Sequence, residues 1–409
     1  MVVGSWIWSG KMVEDRVLIA GAGPVGCVTA LTLARNGIPV SIFEAEDVLP
    51  LDLRASTFHP PTLDMLEDLG VAGDLIAQGI ICPIWQYRDM EHGVIAEWNL
   101  GVLKDDTRHP YRLQAEQYKL TNIIVDILKD MPNVEFRYQA RATGATQDAD
   151  GVDLHLETPD GRETRRGRYL VAADGASSAI RMGLGIDYPG LTFPEMWLCT
   201  STEYDFSQNF ENLSPIAYIA DPEFWFVFVK VPGLWRLLMP SLPGETAESL
   251  VTDETVQQRM RQVCDIGVDY ETRHRTAYQV HQRVAERYRE GRVFLAGDSA
   301  HINNPLGGMG MNGGIHDAVN LCEKMLAVWR GEATDEVFDR YDRQRRPIAV
   351  EYVQKETISN KANLEEKDPL IRRQRQDDLR RTSQDPAKAR DFLLQSSMIK
   401  ALERAAAIE

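Results

Sequence analysis

Short, continuous apolar runs recur along this chain and break off at glycine-containing turns. Such runs lie at residues 17–20, 169–173 and 293–296. Runs of this length, rich in valine and leucine, are typical of strands buried on both faces of a parallel sheet. The first run leads into residues 25–36, whose apolar spacing predicts a helix ending at Asn36-Gly37. The pattern predicts an α/β domain built on a parallel sheet.

Between the second and third runs the pattern changes to alternating and aromatic segments separated by proline and glycine. These segments lie at residues 196–200, 216–219, 224–230 and 234–239, and residues 85–87 and 94–98 have a similar character. Alternation of this kind predicts strands of a mixed or antiparallel sheet. We therefore expect a second domain inserted into the first.

The turn after the first run carries a phosphate-binding pattern, Gly21-Ala-Gly23-Pro24-Val-Gly26. In a strand–turn–helix unit, the first glycine permits the turn, the second admits a pyrophosphate, and the third lets the helix pack close to the strand. A second strand, residues 39–43, ends at Glu44, about 20 residues downstream, where a carboxylate accepts hydrogen bonds from a ribose diol. The unit predicts a dinucleotide site that disfavours a 2′-phosphate.

Two further motifs narrow the choice of dinucleotide cofactor. Residues 174–181 read D-G-x-x-S-x-x-R, and Gly297-Asp298 is followed by Pro305 and by a glycine-rich segment at 307–312. With the first motif, they make residues 12–350 resemble the class A flavin-dependent aromatic monooxygenases, the para-hydroxybenzoate hydroxylase-like group. The resemblance implies a Rossmann-like domain holding non-covalent FAD, with NADH or NADPH as a transient co-substrate.

The resemblance also assigns cofactor contacts residue by residue. Gly21, Gly23, Pro24 and Gly26 would hold the pyrophosphate, and Glu44 the adenosine ribose. Arg54 and Gln117 would lie beside FAD, and Gly297 with Asp298 beside the ribityl chain. Asp174 would serve FAD, and Arg181 the nicotinamide donor. The isoalloxazine would lie against Pro305, Gly307, Gly308, Gly310, Met311 and Asn312.

The implied activity is hydroxylation of a small aromatic, namely a phenol, a hydroxy- or aminobenzoate or an N-heteroaromatic, through a flavin 4a-hydroperoxide. Pro305 would act by its shape, and Tyr218 or His59 by holding a proton, while His301 is a further candidate base. The substrate residues that we expect are Tyr218, Trp225, Lys230 and Arg236. For each of these residues, an ordinary structural role is the alternative interpretation.

The predicted fold class is α/β: a Rossmann-like FAD domain, an inserted mixed or antiparallel substrate sheet, and a helical C-terminal tail. The predicted boundaries are 12–84, 111–185 and 290–350 for the FAD domain, 85–110 and 186–289 for the sheet domain, and 351–409 for the tail. The tail is charged and contains no glycine, which favours a helical cap or contact surface.

Composition limits the partners. A net charge of −16 argues against nucleic acid, and no apolar run is long enough to span a bilayer. The five cysteines show no metal-ligand or redox-pair spacing, so we expect no metal and a cytoplasmic location. A monomer or a homodimer is expected.

Three alternatives share these motifs. A ubiquinone-type ring hydroxylase would take a membrane-derived substrate, and a flavin-dependent reductase such as the geranylgeranyl reductases would need no oxygen. A non-catalytic dinucleotide-binding regulator would not need the glycine-rich segment at 307–312.

Overall fold

The computed structural model describes residues 15–49, 51 and 55–409. The strands are β1 (Val17–Ala20), β2 (Val40–Phe43), β3 (Thr57–Phe58), β4 (Ile80–Cys82), β5 (Ile84–Asp89), β6 (Gly93–Asn99), β7 (Arg112–Gln114), β8 (Val134–Arg137), β9 (Arg141–Gln147), β10 (Val152–Thr158), β11 (Gly161–Gly167), β12 (Tyr169–Ala172), β13 (Gly190–Thr202), β14 (Ile216–Ala220), β15 (Phe226–Val231), β16 (Leu234–Pro240), β17 (Thr272–Val284), β18 (Arg289–Glu290), β19 (Val293–Leu295) and β20 (His301–Ile302).

The helices are α1 (Pro24–Arg35), α2 (Pro60–Asp68), α3 (Ala72–Ile76), α4 (Gln117–Leu128), α5 (Ala179–Gly183), α6 (Ala247–Leu250), α7 (Asp253–Val263), α8 (Met309–Trp329), α9 (Val337–Ile348), α10 (Lys355–Leu364), α11 (Pro369–Gln384), α12 (Pro386–Ser396) and α13 (Ile399–Ala406). A π-helical stretch, Ala349–Gln354, joins α9 to α10. Within the described ranges, no helix has both the length and the apolar character needed to cross a membrane.

The first sheet contains all three apolar runs that precede the glycine motifs. Its strand order is β18-β19-β12-β1-β2-β8, and every pair except β18 with β19 is parallel. The strands β1, β2 and β12 are buried along their whole length, which explains their uninterrupted apolar sequence. This sheet forms the core of the domain that carries the glycine motifs.

The three motifs meet because parallel strands end at one edge of a sheet. Ala173 donates a backbone hydrogen bond to Ala20, 2.9 Å, and Ala296 donates one to Ala172, 3.0 Å. The Ser299 hydroxyl also donates to the Ala172 carbonyl, 2.6 Å. These hydrogen bonds hold the three motifs side by side at one edge of the sheet, although they are more than 100 residues apart in sequence.

The second sheet is mixed and has eight strands in the order β20-β17-β13-β16-β15-β14-β5-β6. Only β14 with β5 is a parallel pair. One face packs Phe226, Phe228 and Trp235 into a core with α7, and the other face carries Trp85, Trp98 and Tyr218. With the helical segment α9–α13, this sheet confirms the predicted fold class.

Candidate functional site

The glycine loop after β1 has the geometry that its sequence predicts. Gly21 has φ +96°, and a Cβ there would lie 2.4 Å from the Ala173 carbonyl oxygen. A Cβ on Gly26 would lie 1.9 Å from the Gly21 oxygen, so α1 packs directly on the loop. A Cβ on Gly23 would meet nothing within 4 Å. The loop therefore leaves open space at Gly23, beside the N-terminus of α1, where a pyrophosphate would fit.

The predicted ribose carboxylate, Glu44, braces this loop. Its two oxygens accept hydrogen bonds from the backbone N–H groups of Ala22, 2.9 Å, and Glu46, 3.1 Å. A carboxylate has about four acceptor positions, so capacity remains for ribose hydroxyls. Asp174, on the neighbouring strand end, has one buried oxygen without a partner, and burial raises its pKa. Both acids fit a polar cofactor lying across this edge.

The third motif is held against the first by close packing of small residues. A Cβ on Gly297 would lie 2.7 Å from the Val25 side chain, and a Cβ on Gly314 would lie 2.6 Å from it. Gly297 also has φ +64°. Asp298, the next residue, is exposed, and its carbonyl accepts a hydrogen bond from the Tyr188 hydroxyl, 2.8 Å. Asp298 therefore lies on the solvent-facing side of the turn, and its ribityl contact stays a prediction.

The glycine-rich segment that follows makes a tight turn into α8. Gly307 and Gly308 both have positive φ, +107° and +67°, and Gly308 donates a backbone hydrogen bond to Pro305, 3.0 Å. The helix then begins at Met309 without a side-chain cap, so its first N–H groups, including those of Gly310 and Met311, have no such partner. Unpaired N–H groups at a helix start suit an anionic ring system.

Asn312 fixes this turn to the neighbouring strand instead of pointing outwards. Its amide nitrogen donates to the carbonyls of Thr57, 2.8 Å, and Gly308, 2.6 Å, and its oxygen accepts from the backbone N–H of His59, 2.9 Å. The Asn312 side chain is therefore occupied within the protein, and its flavin contact stays a prediction. Taken together, the open glycine loop, the acids and the uncapped helix fit FAD.

His59 holds the same turn. Its Nε2 lies 2.8 Å from the Gly307 carbonyl, which makes Nε2 the donor, and the side chain is fully buried. Burial, and secondly the Arg112 charge, hold the pKa of His59 well below its usual value. The structure thus gives His59 a positioning role as a neutral imidazole, in place of the catalytic role of holding a proton that we predicted.

His301 belongs to a buried ionic cluster. Its Nε2 lies 2.7 Å from one oxygen of Asp317, and the other oxygen accepts from Arg345 Nε, 2.7 Å. Asp317 also accepts from the backbone N–H of Gly297, 3.1 Å. The cluster ties α8 and α9 to the third motif, so His301 is placed for structure and not as a base facing a substrate.

Arg181 also has a structural role, because its side chain connects the second and third motifs. Its guanidinium donates to the carbonyls of Ser299, 3.0 Å, and Ala176, 2.8 Å, lies 3.9 Å from the Tyr188 ring centroid, and is 4% exposed. So little exposure leaves no surface for the transient nicotinamide contact that we predicted. Gln117 is the first residue of α4 and is partly exposed, while Arg54 lies outside the described residues.

An aromatic pocket lies between the second sheet and the turn at Gly307. The rings of Trp85 and Trp98 are 5.8 Å apart, Trp98 stacks on Phe392 at 4.0 Å, and Tyr218 meets Trp85 edge-on at 5.6 Å. The Tyr218 hydroxyl accepts a hydrogen bond from the Gly307 N–H, 3.0 Å. This contact joins the pocket to the turn where the flavin ring is expected.

The other predicted substrate residues lie on different faces of the second sheet. Lys230 lies over the Trp235 ring on the face away from Tyr218 and is 3.7 Å from Asp205, so its predicted substrate contact is not supported. Trp225 lies on the Tyr218 side but packs edge-on against Trp197, 5.2 Å. Arg236 pairs in register with Val229, on the Tyr218 side, and is 1% exposed.

Sequence reasoning missed most of the pocket. The missed lining residues include Trp85, Trp98, Arg112, Glu356 and Phe392. The sequence pattern predicts only strands for the two tryptophans, and Arg112 is a single charge in a short buried strand. Glu356 and Phe392 come from the C-terminal helices, whose charged sequence gives little sign of a buried face. The only signal was the apolar group at residues 392–394 within that charged tail.

Three C-terminal helices, α10–α12, lie over the pocket, and we call them the cap. The Tyr87 hydroxyl donates to the Asn363 carbonyl, and Phe392 packs on Trp98. Asp89, which is 2% exposed, pairs with Arg372 and accepts from Gln376 Nε2, 2.7 Å. The cap thus supplies one wall of the aromatic pocket.

We expect the cap to loosen in acid because of Asp89. Burial opposes its charge, but hydrogen bonds from Gln376, His92 and Glu91, with the Arg372 charge, lower its pKa. A lowered folded-state pKa gives stability that is full above the unfolded value, about 4, and is lost as the pH falls through the folded value. Asp89→Asn should reproduce the loosening at neutral pH.

Hydrogen exchange across residues 369–384 checks this expectation. Leaving Arg372 with a neutral partner in a partly buried pair should cost about 3 kcal/mol of cap stability. Asp377→Asn, which removes an exposed partner of Arg380 on the same helix, is the matched control and should change little. Equal protection in the two variants would contradict the role of Asp89.

Comparison with known proteins agrees with this geometry. A family model described as "FAD binding domain" matches residues 14–356. The para-nitrophenol 4-monooxygenase of Pseudomonas sp. (strain WBC-3) is 35% identical over 93% of this chain and 94% of that protein. The 6-hydroxy-3-succinoylpyridine 3-monooxygenase HspB of Pseudomonas putida is 32% identical over 87% of this chain and 90% of that protein.

A solved structure gives the same result. The p-nitrophenol 4-monooxygenase PnpA of Pseudomonas putida DLL-E4 superposes with a TM-score of 0.90 at 32% identity, covering 96% of this chain and 99% of that one. Because the family model and these relatives span most of the chain, the protein belongs to the FAD-binding-domain family and is a class A flavin-dependent aromatic monooxygenase.

Proposed function

We propose that this enzyme hydroxylates a single-ring phenol held in the aromatic pocket beside Gly307. One observation carries the proposal: the Tyr218 hydroxyl joins the pocket of Trp85, Trp98 and Phe392 directly to the Gly307 turn. Flat aromatic walls favour a flat ring by offset stacking and edge contacts. The relatives named for nitrophenol and hydroxypyridine substrates act on single aromatic rings that carry an oxygen.

The balanced reaction consumes one phenol, one oxygen molecule, one NAD(P)H and one proton, and yields the hydroxylated ring, NAD(P)⁺ and water. When bound, FAD would supply the redox chemistry, accepting electrons from the nicotinamide and delivering one oxygen atom to the ring. Gly21, Gly23 and Gly26 would hold its pyrophosphate, and the Gly307–Gly308 turn would face its ring.

The chain's own residues then have three tasks. The tryptophans and Phe392 orient the substrate ring, and the cap excludes water from the pocket. Tyr218 and Arg112 face the substrate oxygen with hydrogen-bond donors. Glu356 lines the same pocket, and burial raises its pKa, which suits a carboxyl group that receives the phenol proton.

Oxygen uptake by the purified flavoprotein tests this proposal. NADH or NADPH oxidation should accelerate when single-ring phenols are added, and labelled oxygen gas should place one oxygen atom in the product. Cyclohexanol, which has the hydroxyl but no aromatic ring, is the control and should give no product. Flavin reduction without any labelled phenol product would contradict the proposal and favour a reductase.

A further inference from the structure

Arg112 is a buried cation in the wall of the aromatic pocket. It begins β7 opposite Cys82 and is 2% exposed. Across residues 15–49, 51 and 55–409, no carboxylate lies within ion-pair distance of Arg112. A guanidinium buried without a counter-charge is costly, so such groups in proteins are usually paired with an anion.

The existing contacts of Arg112 are incomplete. Its Nη2 lies 3.4 Å from the Ser396 carbonyl, and its guanidinium carbon lies 5.0 Å from the Trp85 ring centroid. It also lies beside the Tyr218 hydroxyl, and burial lowers its pKa. Its Nε has no hydrogen-bond partner although the atom is buried. One N–H donor of the cation is therefore left for a ligand.

Tyr218 presents a second donor at the same place. Its oxygen accepts from the Gly307 N–H, 3.0 Å, and lies beside Arg112, so the hydroxyl hydrogen is left for another acceptor. Two donors of one pocket, one of them cationic, thus lie beside the turn where the flavin ring is expected. An oxygen anion on an aromatic ring matches this pair.

The other ionisable groups of the pocket do not supply that anion. Among the described residues, Glu356 does not come within ion-pair distance of Arg112, and its carboxyl group accepts from Gln395 Nε2, 3.1 Å. Burial raises the pKa of Tyr87 in the pocket wall and, to about 11, that of Cys82, the strand partner of Arg112, so both side chains stay neutral. The charge of Arg112 is therefore left uncompensated by its surroundings.

Resting on the proposed function, we propose that Arg112 selects aromatic substrates that carry an anionic oxygen, with the Tyr218 hydroxyl as the second donor to that oxygen. The shared chemistry is an aryl-bound oxygen anion, either a phenolate or a ring carboxylate. Arg112 thereby sets both the charge preference and the orientation of the ring relative to the Gly307 turn.

Equilibrium binding to the purified holoenzyme, without a nicotinamide donor, tests this role. Isothermal titration compares 4-nitrophenolate with its methyl ether, 4-nitroanisole, and benzoate with methyl benzoate. The wild-type protein should bind at least one anion about tenfold or more tightly than its neutral methyl partner. Arg112→Met should weaken that anion about 10- to 100-fold and leave the neutral partner nearly unchanged. The anion whose affinity falls more in Arg112→Met shows whether Arg112 prefers a phenolate or a carboxylate.

Arg112→Lys keeps the charge without the planar fork and should retain part of the preference. Tyr218→Phe should weaken the anion by about tenfold through loss of one neutral donor. If Arg112→Met does not fold, titrations of the wild-type protein, Arg112→Lys and Tyr218→Phe still show whether these two residues select anionic ligands.

A wild-type protein that binds charged and methylated ligands equally, or binds none of them, would overturn the role of Arg112. Equal weakening of both members of a pair by Arg112→Met would show a structural role and would also overturn it. A preserved anion preference without hydroxylated product would overturn the proposed function alone.

Discussion

Replacing Gly26 with alanine is expected to destabilise the protein by about 3 kcal/mol or more, because the new Cβ would lie 1.9 Å from the Gly21 carbonyl oxygen. Neither atom is able to move independently, since Gly21 is fixed to Phe43 by a backbone hydrogen bond of 2.8 Å. α1 would have to lift away from β1 and disrupt the parallel sheet. Urea unfolding followed by circular dichroism measures the loss.

Gly23→Ala is the matched control for this substitution. Gly23 has φ −68°, which alanine adopts readily, and its Cβ would meet nothing within 4 Å. The stability of the FAD-free protein should therefore change by less than about 0.5 kcal/mol. The same Cβ would fill the space that we assign to the pyrophosphate, so FAD affinity should fall at least about tenfold, or 1.4 kcal/mol.

Gly26→Ala tests how closely α1 packs on the loop, whereas Gly23→Ala tests where the FAD pyrophosphate binds. Flavin fluorescence during titration of the FAD-free protein gives the affinity. Wild-type FAD affinity in Gly23→Ala would place the pyrophosphate elsewhere, and wild-type stability in Gly26→Ala would refute the close packing of α1 on the loop.

Asp317→Asn is expected to cost about 3–5 kcal/mol, because it leaves the Arg345 guanidinium buried without its anion. Burial opposes the charge of Asp317, yet His301 and Arg345 hold its pKa below the usual range. A typical domain is stable by only 5–15 kcal/mol, so one substitution would remove a large share. Thermal and urea unfolding of the purified variant measure the effect.

Asp378→Asn provides the control on the surface. Asp378 pairs with Arg381 three residues later, and both side chains are more than half exposed. Exposed pairs contribute at most about 1 kcal/mol. If Asp317→Asn loses no more stability than Asp378→Asn, the buried cluster does not hold α8 and α9 to the third motif.

The geometry of the glycine turns was predictable because its signals are local. In each motif, a buried strand, a turn and the residues beyond it lie within about 15 consecutive positions. The steric demand on Gly21 and Gly26 acts between neighbours in sequence, so residue type and spacing reveal it. Glu44 followed from the same logic, since the second strand must lie beside the first.

The substrate side could not be predicted in this way. Alternation shows that a strand has two faces, but it does not say which face meets the cofactor. Tyr218 and Lys230 are both polar residues on strands, and only the pairing of β14, β15 and β16 places them on opposite faces. His59, Arg181 and His301 had suitable chemistry for a reactive site, but their hydrogen bonds lie within the protein.

The sequence by itself therefore determined the fold class, the dinucleotide loop and the family resemblance, because short-range backbone geometry restricts which residues occupy those turns. The tertiary structure alone decided the pocket, since Trp85, Arg112, Tyr218 and Phe392 come from segments up to about 300 residues apart. Their meeting depends on sheet register and on how α10–α12 pack over β5 and β6. The free energy that brings them together comes from burying apolar surface, which is non-directional and leaves no fixed spacing in the sequence.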